Sequence, residues 1–316
     1  MFAARCIGVS LAVFFLLYVI LSITVSRFAP FAEELSRRLS PRRAANLLFG
    51  LRMLPLCGAA IVTLAVTVPS FILLEPRHSD EWVGVAPLML TICCLFLFGF
   101  GLKTALNAQK RTTRLVSMWL EGAKALEPCS CMPVFLTGKN APTLTVVGLR
   151  DSKVLISAQA MSVLAPEELG IALRHEIAHV RSRDNLKKLL LQFSIFPGMK
   201  PLDHAWSQAA EVAADDEAAG SLRDALDLAA ALVKLSRCPQ VQPSAELASA
   251  LFQSSAECLR VRVQRLFAWD EAHQRAQTRS YWWIAVPALA ALLIGLVFTY
   301  PSILVHAHML TEWLVQ

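Results

Sequence analysis

Four stretches of the chain carry no charged residue: Ile7 to Val25, Met53 to Leu74, Val83 to Leu102 and Tyr281 to Val305. Each is close to the ~20 residues a helix needs to cross ~30 Å of hydrocarbon, so the pattern predicts four transmembrane helices. The first is expected to be a retained helix and not a cleaved leader. A single Arg precedes it, and Ser26-Arg27 stands where a small-residue cleavage site would be. Most of the polar residues fall between the third and fourth runs, in a stretch long enough to bury its own core. There the period changes. "APTLTVVGLRDSKVLIS", Ala141 to Ser157, reads as two short strands around Gly148. Residues 165–196 read as one long helix, with Pro166 at a first helical position, Glu167 and Glu168 at the positive end of the dipole, and no further proline until Pro197. Asp203 to Leu222, "DHAWSQAAEVAADDEAAGSL", reads as another helix, capped at Asp203 and ending near Gly220.

Composition sharpens the class. Of 316 residues, 55% are hydrophobic and only 17% charged, which favours a membrane protein over a soluble domain. The net charge of +6 does not point to nucleic acid, because Lys and Arg flank the apolar runs. Arg27, Arg37, Arg38, Arg42, Arg43 and Arg52 lie between the first two runs, and Lys103, Lys110, Arg111 and Arg114 follow the third. Arg260, Arg262, Arg265, Arg275 and Arg279 precede the fourth, whereas the link after the second run, "EPRHSDEWV", has one Arg against three acids. The tail after Val305 has neither Lys nor Arg.

These counts predict a multi-pass inner (plasma) membrane protein with both termini outside. Residues 1–106 form a membrane region with three spans (about 7–25, 53–74 and 83–102) and an Arg-rich cytosolic loop, residues 107–280 a cytosolic domain, and residues 281–316 the fourth span (281–305) with a short outer tail. The loop arginines mark topology first; a lipid or partner patch is the other reading. Trp282 and Trp283 suit an interfacial belt. The eight cysteines do not form a disulfide framework. Four lie in or beside apolar runs, and Cys129-Ser130-Cys131 has no second close pair to complete a zinc ribbon. Reduced thiols are expected.

The chemistry concentrates in "LRHEIAHVRSRDN", Leu173 to Asn185. On a helix, His175 and His179 lie one turn apart on the same face, so two imidazoles can hold one zinc ion. Glu176 is offset enough to avoid ligation and near enough to take a proton from a zinc-held water. The bland alternative is a polar helix face with two unrelated histidines. Tetrahedral zinc needs a third protein ligand. A histidine at 185 would supply one pattern, but Asn185 stands there. The later helix supplies another. Glu211 and Asp215 are four apart on one face, so Glu211 could be the third ligand while Asp215 accepts from the far nitrogen of a ligand histidine. The oxyanion donor is less evident. His204, seven residues before Glu211, is either that donor or a surface histidine, and His273 is the remaining histidine of the domain.

HEIAHVRSRDN followed about thirty residues later by EVAAD resembles the gluzincin membrane peptidases. These include the β-lactam sensor-transducer (antirepressor) peptidases and the related HtpX-like and CAAX prenyl proteases. The resemblance covers most of the chain. It implies an α-helical integral membrane protein of four transmembrane helices, with an α+β gluzincin-type zinc peptidase domain between helices 3 and 4. It also implies His175, His179 and Glu211 as zinc ligands, Glu176 as catalytic base, Asp215 beside a ligand imidazole, and a structural Asp184. "RVQRL", Arg262 to Leu266, is similar to a family segment near the domain's end. In such folds an edge strand pairs with substrate backbone, and the strands around Gly148 either do this or are purely structural. About ten residues follow the fourth span, so an outer sensor domain is not expected.

The expectation is therefore a zinc metalloendopeptidase cleaving cytosolic or membrane-proximal proteins at the lipid bilayer, in regulatory or signalling proteolysis. A sensor subunit or a homo-oligomer are its open partners, and nucleic acid is not one. The alternative is a catalytically silent, zinc-stabilised membrane receptor or scaffold, whose usual signature would be loss of Glu176. A transporter would want ionisable residues inside the spans, and they carry none.

Overall fold

The structure is a computed structural model that describes residues 2–75, 84–129, 132–138, 141–149, 151–238, 249–250, 256–269 and 299–311. Helix α1 (Phe2–Ser36) is followed by α2 (Pro41–Val62), which continues through a π turn at Thr63–Thr67 into α3 (Val68–Leu74). Helix α4 spans Val85–Leu120. These three rods are long and apolar enough to cross a membrane. At 1.5 Å per residue, 35 residues make about 50 Å, well beyond the ~30 Å of hydrocarbon. Each helix thus continues past its apolar run towards the polar part of the chain. Of the expected fourth span, residues 299–305 are helical and 281–298 lie outside the described residues.

The polar part begins with β1 (Lys124–Cys129), β2 (Met132–Thr137), β3 (Leu144–Val147) and β4 (Lys153–Ser157), and a fifth strand, β5 (Ser249–Ala250), joins later. The sheet order is β1-β2-β4-β3-β5; only the β2–β4 pair is parallel. The two strands expected around Gly148 are β3 and β4, paired antiparallel. Gly148 has φ +107°, and a Cβ there would strike the Asp151 carbonyl, so the turn requires glycine. β3 is not a free edge strand, since Thr145 and Val146 pair with Ala250 and Ser249 of β5.

Helix α5 (Ala158–Val163) leads into α6 (Pro166–Arg181) and α7 (Asp184–Phe193), then α8 (Lys200–Ala218), α9 (Leu222–Ser236) and α10 (Ala256–Phe267). The one long helix expected over 165–196 is divided. Arg183 takes a left-handed conformation, φ 54°, between α6 and α7. Such a backbone costs a non-glycine residue roughly 1–2 kcal/mol. Tertiary bonds outweigh it: past the break, the Asp184 carboxylate meets the His179 ring, and the Asn185 amide donates to the Val146 and Gly148 carbonyls. Neither glycine nor proline marks the spot, so local sequence does not announce it. The start of α8 is corrected too. It begins at Lys200, and Asp203 lies within its first turn, accepting from Arg52 of α2 where a cap was expected.

Two cores matter for the site. One gathers Leu144, Val146, Val154 and Ile156 of the sheet with Ile171 and Ala172 of α6 and Leu228 and Leu232 of α9. The other joins Val25, Ala32 and Leu48 of the membrane helices to Met199, Leu202, Trp206 and Ala210 at the head of α8.

Candidate metal centre

Helix α6 buries His175, Glu176 and His179 completely or nearly so. Helix α8 crosses it and brings Glu211 to the same point. The Nε2 atoms of His175 and His179 are 3.1 Å apart, and they lie 3.7 and 3.6 Å from the Glu211 carboxylate oxygens. Ligand atoms held ~2.1 Å from a tetrahedral ion are about 3.4 Å from one another, and these separations bracket that value. Helical periodicity explains the placement of the histidines, and the crossing of α6 over α8 supplies the carboxylate.

The far sides of both rings are held. Asp215 Oδ1 lies 2.9 Å from His175 Nδ1, at a bent angle, and Asp184 Oδ2 lies 2.8 Å from His179 Nδ1. Carboxylates at both Nδ1 atoms favour the tautomer with the proton there, leaving two Nε2 lone pairs pointed at each other. Two facing lone pairs repel unless a cation or proton lies between them. The donor set therefore fits a metal ion on physical grounds, and His2Glu is a set that zinc takes.

Glu176 is the odd member. It is fully buried, and among the described residues neither of its carboxylate oxygens has a hydrogen-bond partner of good geometry. Burial pushes its carboxyl up to about 8, against the pull of His179 and with the Glu211 charge adding to the rise. A buried, unsatisfied carboxyl beside a metal-ligand cluster is suited to holding a proton between two steps.

The other carboxylates go the opposite way, and the cause is a residue that the sequence reading did not single out. Arg262 of α10 is buried. Its Nε and Nη2 donate to the two oxygens of Asp215 at 2.7 and 2.6 Å, and its Nη1 donates to Glu211 Oε2 at 2.8 Å. Burial alone would raise Glu211, but the Arg262 guanidinium reverses this and the carboxyl falls to about 2. Asp215 is likewise held well below the usual carboxylate range, Arg262 and His175 overcoming burial. For His175 burial lowers the pKa, yet the neighbouring carboxylates of Asp215 and Glu211 leave it raised. Burial also lowers Lys188 of α7, whose ammonium lies in the fields of Glu211, Asp184 and Glu176.

The structure thus brings together His175, Glu176, His179, Asp184, Glu211 and Asp215. His204 is not among them: it stands exposed on α8, its Nε2 beside the Gln208 amide at 2.9 Å. His273 and Cys131 lie outside the described residues, as does the side chain of Cys129. The signal for Arg262 was the RVQRL segment, but no spacing rule ties an arginine to acids 47 and 51 residues earlier.

One cavity of about 510 Å³ opens onto this region, between the β3–β4 turn (Gly148, Leu149, Ser152) and the α6–α7 junction, with His179 in its wall. A scan against models of protein families finds no match for the chain, and neither does a search of curated proteins.

Proposed function

We propose that the chain is an integral membrane, zinc-dependent endopeptidase of the gluzincin type, cleaving cytosolic or membrane-proximal proteins in a regulatory or signalling role. One juxtaposition carries this reading. Two Nε2 atoms and a carboxylate converge at tetrahedral spacing, and the fully buried carboxyl of Glu176 adjoins a ligand on the same helix. The resemblance of HEIAHVRSRDN and EVAAD to the gluzincin membrane peptidases supports it independently.

His175, His179 and Glu211 would hold the metal, which when bound lowers the pKa of its water towards about 7 and polarises the scissile carbonyl. Glu176 would accept a proton from the attacking water and return it to the leaving amine, and so would end the cycle as it began. Asp215 and Asp184 fix the two imidazole planes and keep the protons on Nδ1. Arg262 keeps Glu211 ionised and clamps it to Asp215, so the third ligand cannot turn away. In this reading 281–305 is a fourth span beside the three apolar helices, and the Lys and Arg flanking the apolar runs support a site at the inner face of the bilayer. The Arg-bearing connection between α1 and α2 then faces the cytosol and both termini face outward.

The test compares protein N-termini in cells carrying the wild type and Glu176→Gln. That substitution keeps the three ligands and removes the base. A small set of N-termini that disappears with Glu176→Gln is the expected result. Matching profiles under growth and envelope stress would instead favour a zinc-stabilised receptor.

A further inference from the structure

The link between α7 and α8, "FSIFPGM", Phe193 to Met199, is unusually apolar for a connection in a water-soluble domain. The fold shows where it goes. Phe196 packs among Phe14, Tyr18, Ala59 and Cys94, side chains from α1, α2 and α4, and meets Tyr18 edge-on at 5.9 Å. The Tyr18 hydroxyl donates to the Ile195 carbonyl at 3.1 Å, and Phe193 lies against Phe98. The link is plugged into the membrane bundle.

Two features of the bundle are shaped to receive it. At Gly101 of α4, any Cβ would collide with the Phe193 carbonyl, whereas at Gly99, two residues earlier, a Cβ would meet nothing within 4 Å. From α2, Arg52 reaches in with its side chain almost wholly enclosed. Its Nε donates to Asp203 at 2.6 Å, its Nη1 to the Ser194 hydroxyl at 3.2 Å, and its Nη2 to the Ser194 carbonyl. A buried guanidinium with every donor nitrogen aimed at one loop and the helix after it fixes geometry, since Arg presents a rigid fork.

The two cores make this consequential. The metal-ligand histidines sit on α6, which packs into the sheet-side core, whereas the head of α8 up to Ala210, the residue before Glu211, packs into the bundle-side core. Asp203 and Glu211 are eight residues apart on one helix, about 12 Å along a rigid rod. We propose that the membrane bundle sets the position of Glu211 relative to His175 and His179, through the keyed α7–α8 link, with Arg52 as a positioning residue. This rests on reading the three side chains as a metal site. It makes that site sensitive to the packing of the three apolar helices, since one of its three ligands is carried on a helix anchored in them.

The experiment uses the full chain in lipid nanodiscs and compares Gly101→Ala with Gly99→Ala, the same change on the same helix. Zinc affinity is read by competition with a chelator, and hydrogen exchange is followed along the backbone. Gly101→Ala is expected to weaken zinc binding at least about tenfold, the scale seen when groups that orient metal ligands are lost. It should also speed exchange at residues 193–218 while β2, β3 and β4 stay protected. Gly99→Ala should match the wild type in both. Arg52→Met should reproduce the Gly101→Ala pattern, and Arg52→Lys, which keeps a cation beside Asp203, should restore part of it. Equal zinc affinity and equal exchange in the two glycine variants overturn the inference, and so does a loss of zinc accompanied by deprotection of the whole sheet. If the wild type takes up no zinc, the proposed function falls. The exchange comparison at 193–218 then decides the positioning on its own, a difference supporting it and equality overturning it.

Discussion

Helix α8 carries an aspartate paired with a buried arginine at each end, and the two pairs behave in opposite ways. Near its end, Asp215 takes two bonds from Arg262 and lies 2.9 Å from His175 Nδ1, is 2% exposed, and falls well below the ordinary aspartate range. At its start, Asp203 takes one bond from Arg52, is 34% exposed, and is raised, because burial outweighs the guanidinium. The chemical partners are the same. What differs is where the arginine spends its donors. Arg262 turns its Nε, Nη1 and Nη2 on two carboxylates and so fixes their charge. Arg52 gives two of three bonds to the Ser194 hydroxyl and carbonyl and so fixes a loop. A buried ion pair can serve charge or shape, and the neighbouring acceptors tell which.

The largest effect should come from breaking the charge-setting pair. Arg262→Ala leaves the buried Asp215 and the largely buried Glu211 without the guanidinium that pairs them, a situation that costs roughly 3–5 kcal/mol. Denaturant unfolding of the full chain should show a loss of that order, together with loss of bound zinc at neutral pH. An unfolding midpoint within experimental error of the wild type would mean that water or another cation replaces the guanidinium.

Asp215→Asn should come next. It keeps the shape, but it replaces the carboxylate at His175 Nδ1 by an amide and halves the acidic partner of Arg262. A loss of zinc affinity of about 10–100-fold is expected, measured by chelator competition. Global stability should fall less than in Arg262→Ala, because only one charge is removed and the guanidinium keeps Glu211. If the order of the two variants were reversed in unfolding, the clamp would owe more to Asp215 than to the arginine.

How much of this could be read along the chain follows from the same contrast. The 3.6-residue period placed His175 with His179 and Glu211 with Asp215, because each pair lies one turn apart on a single helix. Apolar runs located α1, α2–α3 and α4, and alternation around Gly148 located β3 and β4. What escaped was set by contacts between distant elements. Arg262 reaches its acids only once α10 lies against α8. The break at Arg183 is imposed by bonds from Asp184 and Asn185 to a histidine and a strand, with no breaker residue to announce it. Arg52 was counted among the positive charges that orient the membrane helices. A charge count has no way to see that one of six arginines is enclosed by a loop 142 residues further along the chain.

The smallest effect belongs to Asp203, and its sign separates the two ends of α8. A carboxyl whose folded pKa is raised binds its proton more tightly when folded. Its contribution is therefore present below the unfolded value of about 3.9 and is lost as pH rises through the folded pKa. Asp203→Asn does not titrate and keeps an oxygen acceptor for Arg52. Relative to this variant, the wild type should lose stability as pH climbs from about 4 through the raised pKa, and should gain none thereafter. Paired unfolding curves at pH ~4 and ~7 measure the difference. Zinc affinity of Asp203→Asn should stay near that of the wild type, because the Ser194 bonds that hold the link are untouched. A wild type that instead gains on the variant as pH rises would show Arg52 acting on Asp203 mainly as a charge, as Arg262 does on Asp215, and the distinction between the two ends of the helix would collapse.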